Sequence, residues 1–195
     1  MREGVRRGYA MTAFTRRPER LAGIDGVVTV IHGDGRKVED IRKAVAGQDA
    51  VISIVSTDNL QKTTVMSDVA RAELEAMRGA GVRRLVAVSV YAIQGRRPWI
   101  LINLVRWLLR KPYADFARME ALVAGSGLEW TIVRPPRLMN GEATGRTRSA
   151  AGVKDFRRGP YTISRADLAA VLLDLAADSK HVGEVLLVSR AKANA

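Results

Sequence analysis

The chain has 195 residues, which is typical of one domain and enough to bury a full hydrophobic core. Apolar residues make up 47% and charged residues 27%, and this balance excludes intrinsic disorder and fibrous repeats. The absence of cysteine excludes disulfides, thiolate metal sites and cysteine nucleophiles, and with only two histidines we predict no metal site.

The charge is strongly basic, since 32 Lys and Arg against 20 Asp and Glu give a net charge of +12. Such a charge attracts nucleic acid, anionic membranes or a phosphorylated cofactor. The basic residues cluster at most in pairs, which fits a scattered, solvated surface equally well. Because aromatic residues are 5% of the chain and no helix-turn-helix pattern is present, nucleic-acid binding ranks last among these functions.

The most apolar stretch, from Pro98 to Leu109, is too short to span a bilayer and is interrupted by Arg106. No secretory signal precedes it, so we expect a soluble cytoplasmic protein, monomeric or homodimeric. We interpret residues 99–109 as a lid over an apolar substrate or a packing surface. A dimer face and a membrane-surface helix are the alternatives.

Short apolar runs alternate with segments of helical periodicity. The runs are rich in Val, Ile and Leu, as is typical of strands buried on both faces of a parallel sheet. Strands are predicted at Met11–Thr15, Val27–Ile31, Asp49–Val55, Leu85–Val90, Trp130–Val133 and Val185–Val188.

Helices are predicted between these strands, and the last of them begins with a capping box, Ser164-Arg165-Ala166-Asp167. Strand alternating with helix predicts βαβ units and an α/β fold, a doubly wound parallel sheet of the Rossmann type in a single domain over residues 1–195. The other predicted helices are Lys37–Ala46, Gln61–Ala80 and Ala114–Ala124, and Met139–Gly159 is predicted to be a long loop.

Three motifs, in this order along the chain, resemble one known family. They are Ala13–Leu21 followed by Gly33-Asp34; Ser126–Leu138 with Gly141 and Thr144-Gly145; and Gly159-Pro160 with Ile163–Ala169. Together they resemble the NAD(P)H-binding atypical short-chain dehydrogenases over nearly the whole chain. Within that group the chain looks similar to the NmrA-like proteins and the biliverdin reductase B/flavin reductase branch.

One feature of that family is missing from the sequence. Its proteins open with a strand and a glycine-rich turn, whereas Met1–Gly8 resembles the end of the helix that follows such a turn. The missing strand would lie at the centre of the sheet, so we expect an N-terminally incomplete fold with open edges on the strands at Met11 and Val51. Since that turn also holds the cofactor's pyrophosphate, residues 1–195 alone are expected to bind NADP(H) weakly or not at all.

Thr15, Arg16 and Arg17 stand at the turn where dinucleotide-binding folds contact the adenosine ribose. An arginine there accommodates the 2′-phosphate of NADP, and no acidic residue stands between Thr15 and Glu19. We therefore predict NADP as the cofactor, with NAD as the alternative. A solvated basic turn is the other interpretation of this pair.

Three further pairs complete the predicted cofactor site. The resemblance implies that Gly33 and Asp34 flank the adenine, although Asp34 could equally cap the helix that begins near Lys37. Small residues after a buried strand, Ser56 and Thr57, would let the nicotinamide ribose approach, or they form an ordinary polar loop. The resemblance also implies that the turn formed by Pro135 and Pro136 packs around the nicotinamide.

Ser89 and Tyr113 are the catalytic candidates. The resemblance implies that Ser89 bonds the substrate carbonyl beside the cofactor and that Tyr113 occupies the position of a proton-donating tyrosine. Ala117 stands four residues later, where such a tyrosine has a lysine partner, so the triad is incomplete and the proton could come from solvent. Alternatively, Tyr113 and Tyr91 pack with their hydroxyls facing solvent.

These residues predict an NAD(P)H-dependent oxidoreductase, with NADP preferred, that reduces a small conjugated acceptor such as a flavin, quinone or carbonyl compound. A non-catalytic, NADP-sensing regulator of the NmrA-like type is the first alternative, and the incomplete triad favours it. A truncated chain with impaired cofactor binding is the second.

Overall fold

The computed structural model describes residues 1–24, 26, 29–55, 63–91, 107, 110–151 and 160–191. The elements in chain order are α1 (Arg2–Arg6), β1 (Thr12–Thr15), a 3-10 turn (Pro18–Leu21), β2 (Thr29–His32), α2 (Val38–Val45), β3 (Ala50–Ser53), α3 (Val65–Ala80), β4 (Arg84–Val88), α4 (Arg110–Ala124), β5 (Glu129–Arg134), β6 (Arg137–Met139), β7 (Thr147–Ala151), β8 (Thr162–Ser164), α5 (Arg165–Ala177) and β9 (Glu184–Arg190).

The strands form three separate sheets. Five of them pair in the order β3-β4-β5-β9-β7, in which β7 runs antiparallel to β9 and the other pairs are parallel. The parallel pairs β1-β2 and β6-β8 stand apart. The alternation of strand and helix thus gives the predicted α/β Rossmann-type fold, with an interruption between β1 and β3.

Two hydrophobic clusters cover opposite faces of the five-stranded sheet. On β4, Leu85 and Ala87 belong to a cluster with α2, α3 and α4, whereas Val86 belongs to a second cluster with α5. On β5, Ile132 and Val133 divide between the same two clusters. The central strands are therefore buried on both faces, as their uninterrupted apolar runs predict.

The prediction of full burial is wrong for β2. Along Thr29–His32 only Ile31 is partly buried, and Val30 is 42% exposed. The reason is that β2 belongs to a two-stranded sheet. It is covered by one neighbouring strand and a few flanking side chains, whereas a central strand of the larger sheet has helices packed on both faces.

The predicted loop over Met139–Gly159 is wrong in part, because Thr147–Ala151 forms β7 along the edge of β9. Asp167 holds the turn that leads into β7: its carboxylate accepts hydrogen bonds from the backbone N–H groups of Thr144 and Gly145. The capping box is therefore only half formed. Ser164 caps α5 by accepting from the Asp167 N–H, but the Asp167 side chain binds this distant turn.

Across the described parts of the chain, none of the helices is both long and apolar enough to cross a membrane.

Candidate functional site

A cavity of about 500 Å³ separates β1 from β3, and we call it the β1–β3 cleft. Three residues of β1 and all four residues of β3 line it, and α2 and α3 supply its floor. Among the described residues, β1 pairs only with β2, and β3 pairs only with β4. Two strand edges therefore face each other across an open space, which agrees with the expected open edges.

Four arginines stand at the cleft, namely Arg16, Arg17, Arg20 and Arg36. The first two follow β1 directly, and the turn is shaped by a hydrogen bond of 3.1 Å from the Arg17 backbone N–H to Thr15 Oγ1. Both side chains are exposed, so a guanidinium there is accessible to a phosphate in solution.

Gly33 and Asp34 lie beside this turn, at the end of β2. The Gly33 N–H donates to the Thr15 carbonyl, and a Cβ at Gly33 would lie 2.7 Å from Phe14 Cε2. Asp34 does not cap α2, whose N-cap, Lys37, makes no side-chain capping bond. Instead the Asp34 carboxylate accepts hydrogen bonds from the Arg36 guanidinium and backbone, which lower the pKa of Asp34 to about 2.

An unforeseen carboxylate, Glu73, lies in the floor of the cleft on α3. Ser53 Oγ donates to both of its oxygens, at 2.9 Å and 2.7 Å. The side chain is partly exposed, towards the cleft, but protein atoms surround it, and this desolvation raises the pKa of Glu73 to about 7. The sequence holds no local signal for it, because Ser53 and Glu73 meet only when α3 packs on β3.

A second group of predicted residues meets at the carboxyl ends of β4 and β5, and we call it the β4–β5 site. Ser89 and Tyr91 follow β4, and their N–H groups donate to the carbonyls of Val133 and Pro135. Ser89 is 2% exposed, and no described residue is a hydrogen-bond partner of its Oγ. A buried hydroxyl of this kind can bind a ligand oxygen without first giving up a protein partner.

Tyr113 reaches the β4–β5 site from α4, where it packs against Tyr91 and Leu187. Ala117, four residues along the same helix, is exposed and offers no ammonium group to Tyr113. Tyr161 joins this cluster, with its ring centroid 5.8 Å from that of Tyr91 and the ring planes at 53°. Sequence reasoning missed Tyr161, which follows an expected loop and has no motif of its own.

The structure does not join all predicted residues into one site. The lining of the β1–β3 cleft includes Thr15, Arg16, Arg17 and Asp34, but not Ser89. Tyr113 and the two prolines are also outside that lining; Pro135 is buried and Pro136 is partly exposed. Ser56 and Thr57 lie outside the described residues, as does most of the segment 99–109.

A dinucleotide cofactor fits these residues at its two ends. The arginines at the cleft suit an adenosine phosphate, and the free Ser89 hydroxyl suits a polar group at the other end. Among the described residues, no glycine-rich turn leads into a helix to hold the diphosphate between them. The first helix, α1, is five residues long, and its N-cap residue, Met1, makes no side-chain hydrogen bond to the helix.

The sequence matches a family model described as NAD(P)H-binding over residues 1–179. Among curated proteins, it is 32% identical over 171 residues to the uncharacterized sugar epimerase YhfK of Bacillus subtilis, covering 85% of this chain and 75% of that protein. It is 32% identical over 149 residues to sterol demethylase protein B of Methylococcus capsulatus, covering 68% of this chain and 45% of that protein.

Solved structures share the fold. A Rossmann-fold NAD(P)-binding family protein from Shigella flexneri superposes with a TM-score of 0.76 at 22% identity, over 99% of this chain and 87% of that one. A wide-type short-chain dehydrogenase/reductase from Veillonella parvula, in complex with NADP, gives a TM-score of 0.77 at 19% identity, over 97% and 87%.

Proposed function

Because the chain belongs to the NAD(P)H-binding family, we propose that it is an NADP-preferring oxidoreductase that reduces a small conjugated acceptor such as a flavin, a quinone or a related carbonyl compound. The observation that carries the cofactor preference is the set of arginines at the β1–β3 cleft. An acidic side chain beside these arginines, Asp34, already forms an ion pair with Arg36.

At the adenosine end, Arg16 and Arg17 recognise the 2′-phosphate that distinguishes NADP from NAD. NAD needs an acceptor for its ribose hydroxyls, usually an Asp or Glu at this turn. Residues 15–17 contain none, and the Asp34 carboxylate is engaged by the guanidinium and N–H of Arg36. A phosphate with two negative charges gains more from this turn than a neutral hydroxyl does.

At the acceptor end, a bound nicotinamide cofactor would supply hydride, and the residues of the chain orient the acceptor. Ser89 Oγ donates to an oxygen of the acceptor, and the rings of Tyr91 and Tyr161 form an apolar wall beside it. Residue 117, four positions after Tyr113, is an alanine and offers no ammonium group, so solvent supplies the proton that accompanies reduction.

A second function, a non-catalytic protein that senses NADP, is favoured by one specific observation. The residue four positions after Tyr113 is an alanine on the exposed side of α4, and no basic group activates the phenol from that position. Such a sensor would use the same arginines but would not turn over an acceptor.

One experiment separates the two functions. NADPH and NADH are titrated into the protein by fluorescence, and NADPH oxidation is then followed with flavin or quinone present. The oxidoreductase is supported by tighter NADPH binding together with acceptor-dependent oxidation. Binding without oxidation supports the sensor. Absence of NADPH binding contradicts both functions and agrees with the expected impairment of cofactor binding.

A further inference from the structure

We propose that the exposed face of helix α4 binds the surface of a lipid bilayer that contains anionic lipids. The inference goes beyond the proposed reaction, since it rests on charge and exposure along one helix and requires neither a cofactor nor an acceptor. The protein would lie on the membrane surface, because none of the described helices is long and apolar enough to cross it.

The solvent-facing side of α4 presents cations and alanines. Exposed residues recur along the helix three or four positions apart, as neighbours on one helical face do. The two acidic residues of α4, Asp115 and Glu120, are only 0% and 9% exposed, so this face presents no carboxylate between Arg110 and Ala121. We call this surface the α4 face, and it consists of Arg110, Lys111, Ala114, Ala117, Arg118 and Ala121.

The two helices that pack on the same side of the sheet carry exposed charges of both signs. Arg42 pairs with Glu39 on α2, and Arg71 pairs with Asp68 on α3. Glu75 of α3 also lies at a groove beside the C-terminal half of the α4 face. The excess of positive charge is therefore greatest at the N-terminal half of the α4 face.

A large aromatic side chain lies next to this positive charge. Trp107, three residues before Arg110, is 64% exposed. Tryptophan is enriched at membrane–water interfaces, where its ring enters the headgroup region. Arginine and lysine attract anionic headgroups at the same depth. An anionic bilayer therefore matches both the aromatic ring and the cations beside it.

Nucleic acid is the other polyanion that such cations attract. Its sugar–phosphate backbone offers an exposed tryptophan no apolar phase to enter, whereas a bilayer does. The amino-acid sequence also favours the bilayer, because residues 92–114 contain two tryptophans and five arginines or lysines but no aspartate or glutamate. Tryptophan and cations together are typical of segments that bind a membrane surface.

The test uses the full chain and two kinds of vesicle. One is made of phosphatidylcholine alone, and the other contains about one third phosphatidylglycerol, which is anionic. Binding is measured by co-sedimentation with the vesicles. We expect the affinity for the anionic vesicles to be about tenfold higher or more, and to fall as the salt concentration rises.

Two cations of the α4 face are then removed. The double variant Arg110→Gln, Lys111→Gln should bind the anionic vesicles about tenfold more weakly or less tightly still. The matched control is Arg6→Gln with Lys180→Gln, which removes the same charge from exposed side chains beside α5, on the opposite face of the sheet. This control should weaken binding by less than about threefold.

The contribution of the aromatic ring is measured separately. Trp107→Ala should weaken binding to the anionic vesicles by about fivefold or more. Tyr9→Ala is the control, because Tyr9 is another exposed aromatic residue, 42% exposed, and lies outside the α4 face. Circular dichroism establishes that all variants are folded.

Several results would overturn the proposal. These are absence of binding to the anionic vesicles, equal binding to both kinds of vesicle, or equal losses in the Arg110/Lys111 variant and its control. An unchanged affinity of Trp107→Ala would also contradict it. Tighter binding to duplex DNA, weakened by the same Arg110/Lys111 variant, would assign the face to nucleic acid instead. A dimer in light scattering that Trp107→Ala dissociates would assign it to a second copy of the chain.

Discussion

Arg134 and Glu120 form a buried ion pair that ties the end of β5 to α4, with side chains 4% and 11% exposed. Arg134 Nε donates to Glu120 Oε1 at 2.9 Å, and the Nη2 group donates to the other carboxylate oxygen. The pair lies directly before Pro135, whose carbonyl accepts from the Tyr91 N–H. Arg134 therefore positions the turn at the β4–β5 site.

Removing the carboxylate of this pair should be costly. Glu120→Ala leaves a buried guanidinium without its anionic partner, and we expect a loss of about 3–5 kcal/mol in the free energy of unfolding. Glu129→Ala is the control, because the Arg83–Glu129 pair is 68% and 40% exposed and should contribute less than about 1 kcal/mol. Urea unfolding measures the free energy of unfolding of both variants. Equal losses in the two variants would contradict the larger contribution of the buried Arg134–Glu120 pair.

Periodicity predicts the strands that are buried on both faces, since successive residues in the middle of β4 (Leu85–Val88) and of β5 (Ile132 and Val133) are apolar. It fails for β7, whose sequence from Thr147 to Ala151 contains no large apolar residue. That strand exists because it pairs with Arg190 back to Leu186, about forty residues further along the chain. Pairing of this kind depends on which edge is open, and no local pattern encodes it.

The candidate site divides in the same way. Thr15, Arg16 and Arg17 could be found because a strand followed by a basic turn is a local pattern. Glu73 could not, because its environment depends on packing between α3 and β3. Asp115 is a similar case: it is fully buried in α4 and accepts from the N–H groups of Met66 and Ser67, so it caps α3 from a distant helix.

A methyl group at Gly33 should destabilise the turn that carries the predicted adenine site. In Gly33→Ala the new Cβ would lie 2.7 Å from Phe14 Cε2 and 2.8 Å from Asp40 Cβ. The Phe14 side chain and helix α2, which carries Asp40, would therefore have to shift. We expect a cost of about 1–3 kcal/mol by chemical denaturation. Gly79→Ala is the control, because nothing lies within 4 Å and alanine favours α3 by about 0.5–1 kcal/mol. A neutral Gly33→Ala would contradict the close packing.

Loss of the two arginines after β1 should separate the cofactors. In the double variant Arg16→Ala, Arg17→Ala, NADPH affinity should fall by about tenfold or more, whereas NADH affinity should change little, because only NADPH carries the 2′-phosphate. Arg71→Ala is a control for charge alone, since Arg71 pairs with Asp68 on α3. Isothermal titration of each variant measures this, and equal losses for both cofactors would refute the predicted preference.

The β4–β5 site makes a prediction about turnover. Ser89→Ala should lower the rate of acceptor reduction by about tenfold or more, because it removes a hydroxyl that is free to bind the acceptor oxygen. Tyr113→Phe should have a smaller effect, since Ala117 offers the phenol no cation. Steady-state kcat of the two variants is compared under NADPH saturation. A larger effect at Tyr113 would show that this tyrosine is the proton donor by another arrangement.

The raised pKa of Glu73 makes the stability of the fold depend on pH in a defined direction. Burial raises this pKa from 4.5 to about 7, so between these values the folded chain holds a proton that the unfolded chain has lost. The contribution of Glu73 to stability therefore falls by about 1–3 kcal/mol in total as pH rises through this window, and it is constant above the window.

The Glu73→Gln variant tests this dependence. Its side chain cannot ionise, so its free energy of unfolding relative to the unchanged protein should increase from about pH 4.5 to about pH 7. Urea unfolding across this range measures the difference, from which Asp34 cancels because both proteins contain it. Glu75→Gln is the control, because Glu75 lies on the same helix with an exposed side chain, and this variant should show no such trend. A flat difference for Glu73→Gln would mean that water reaches the Glu73 carboxylate freely.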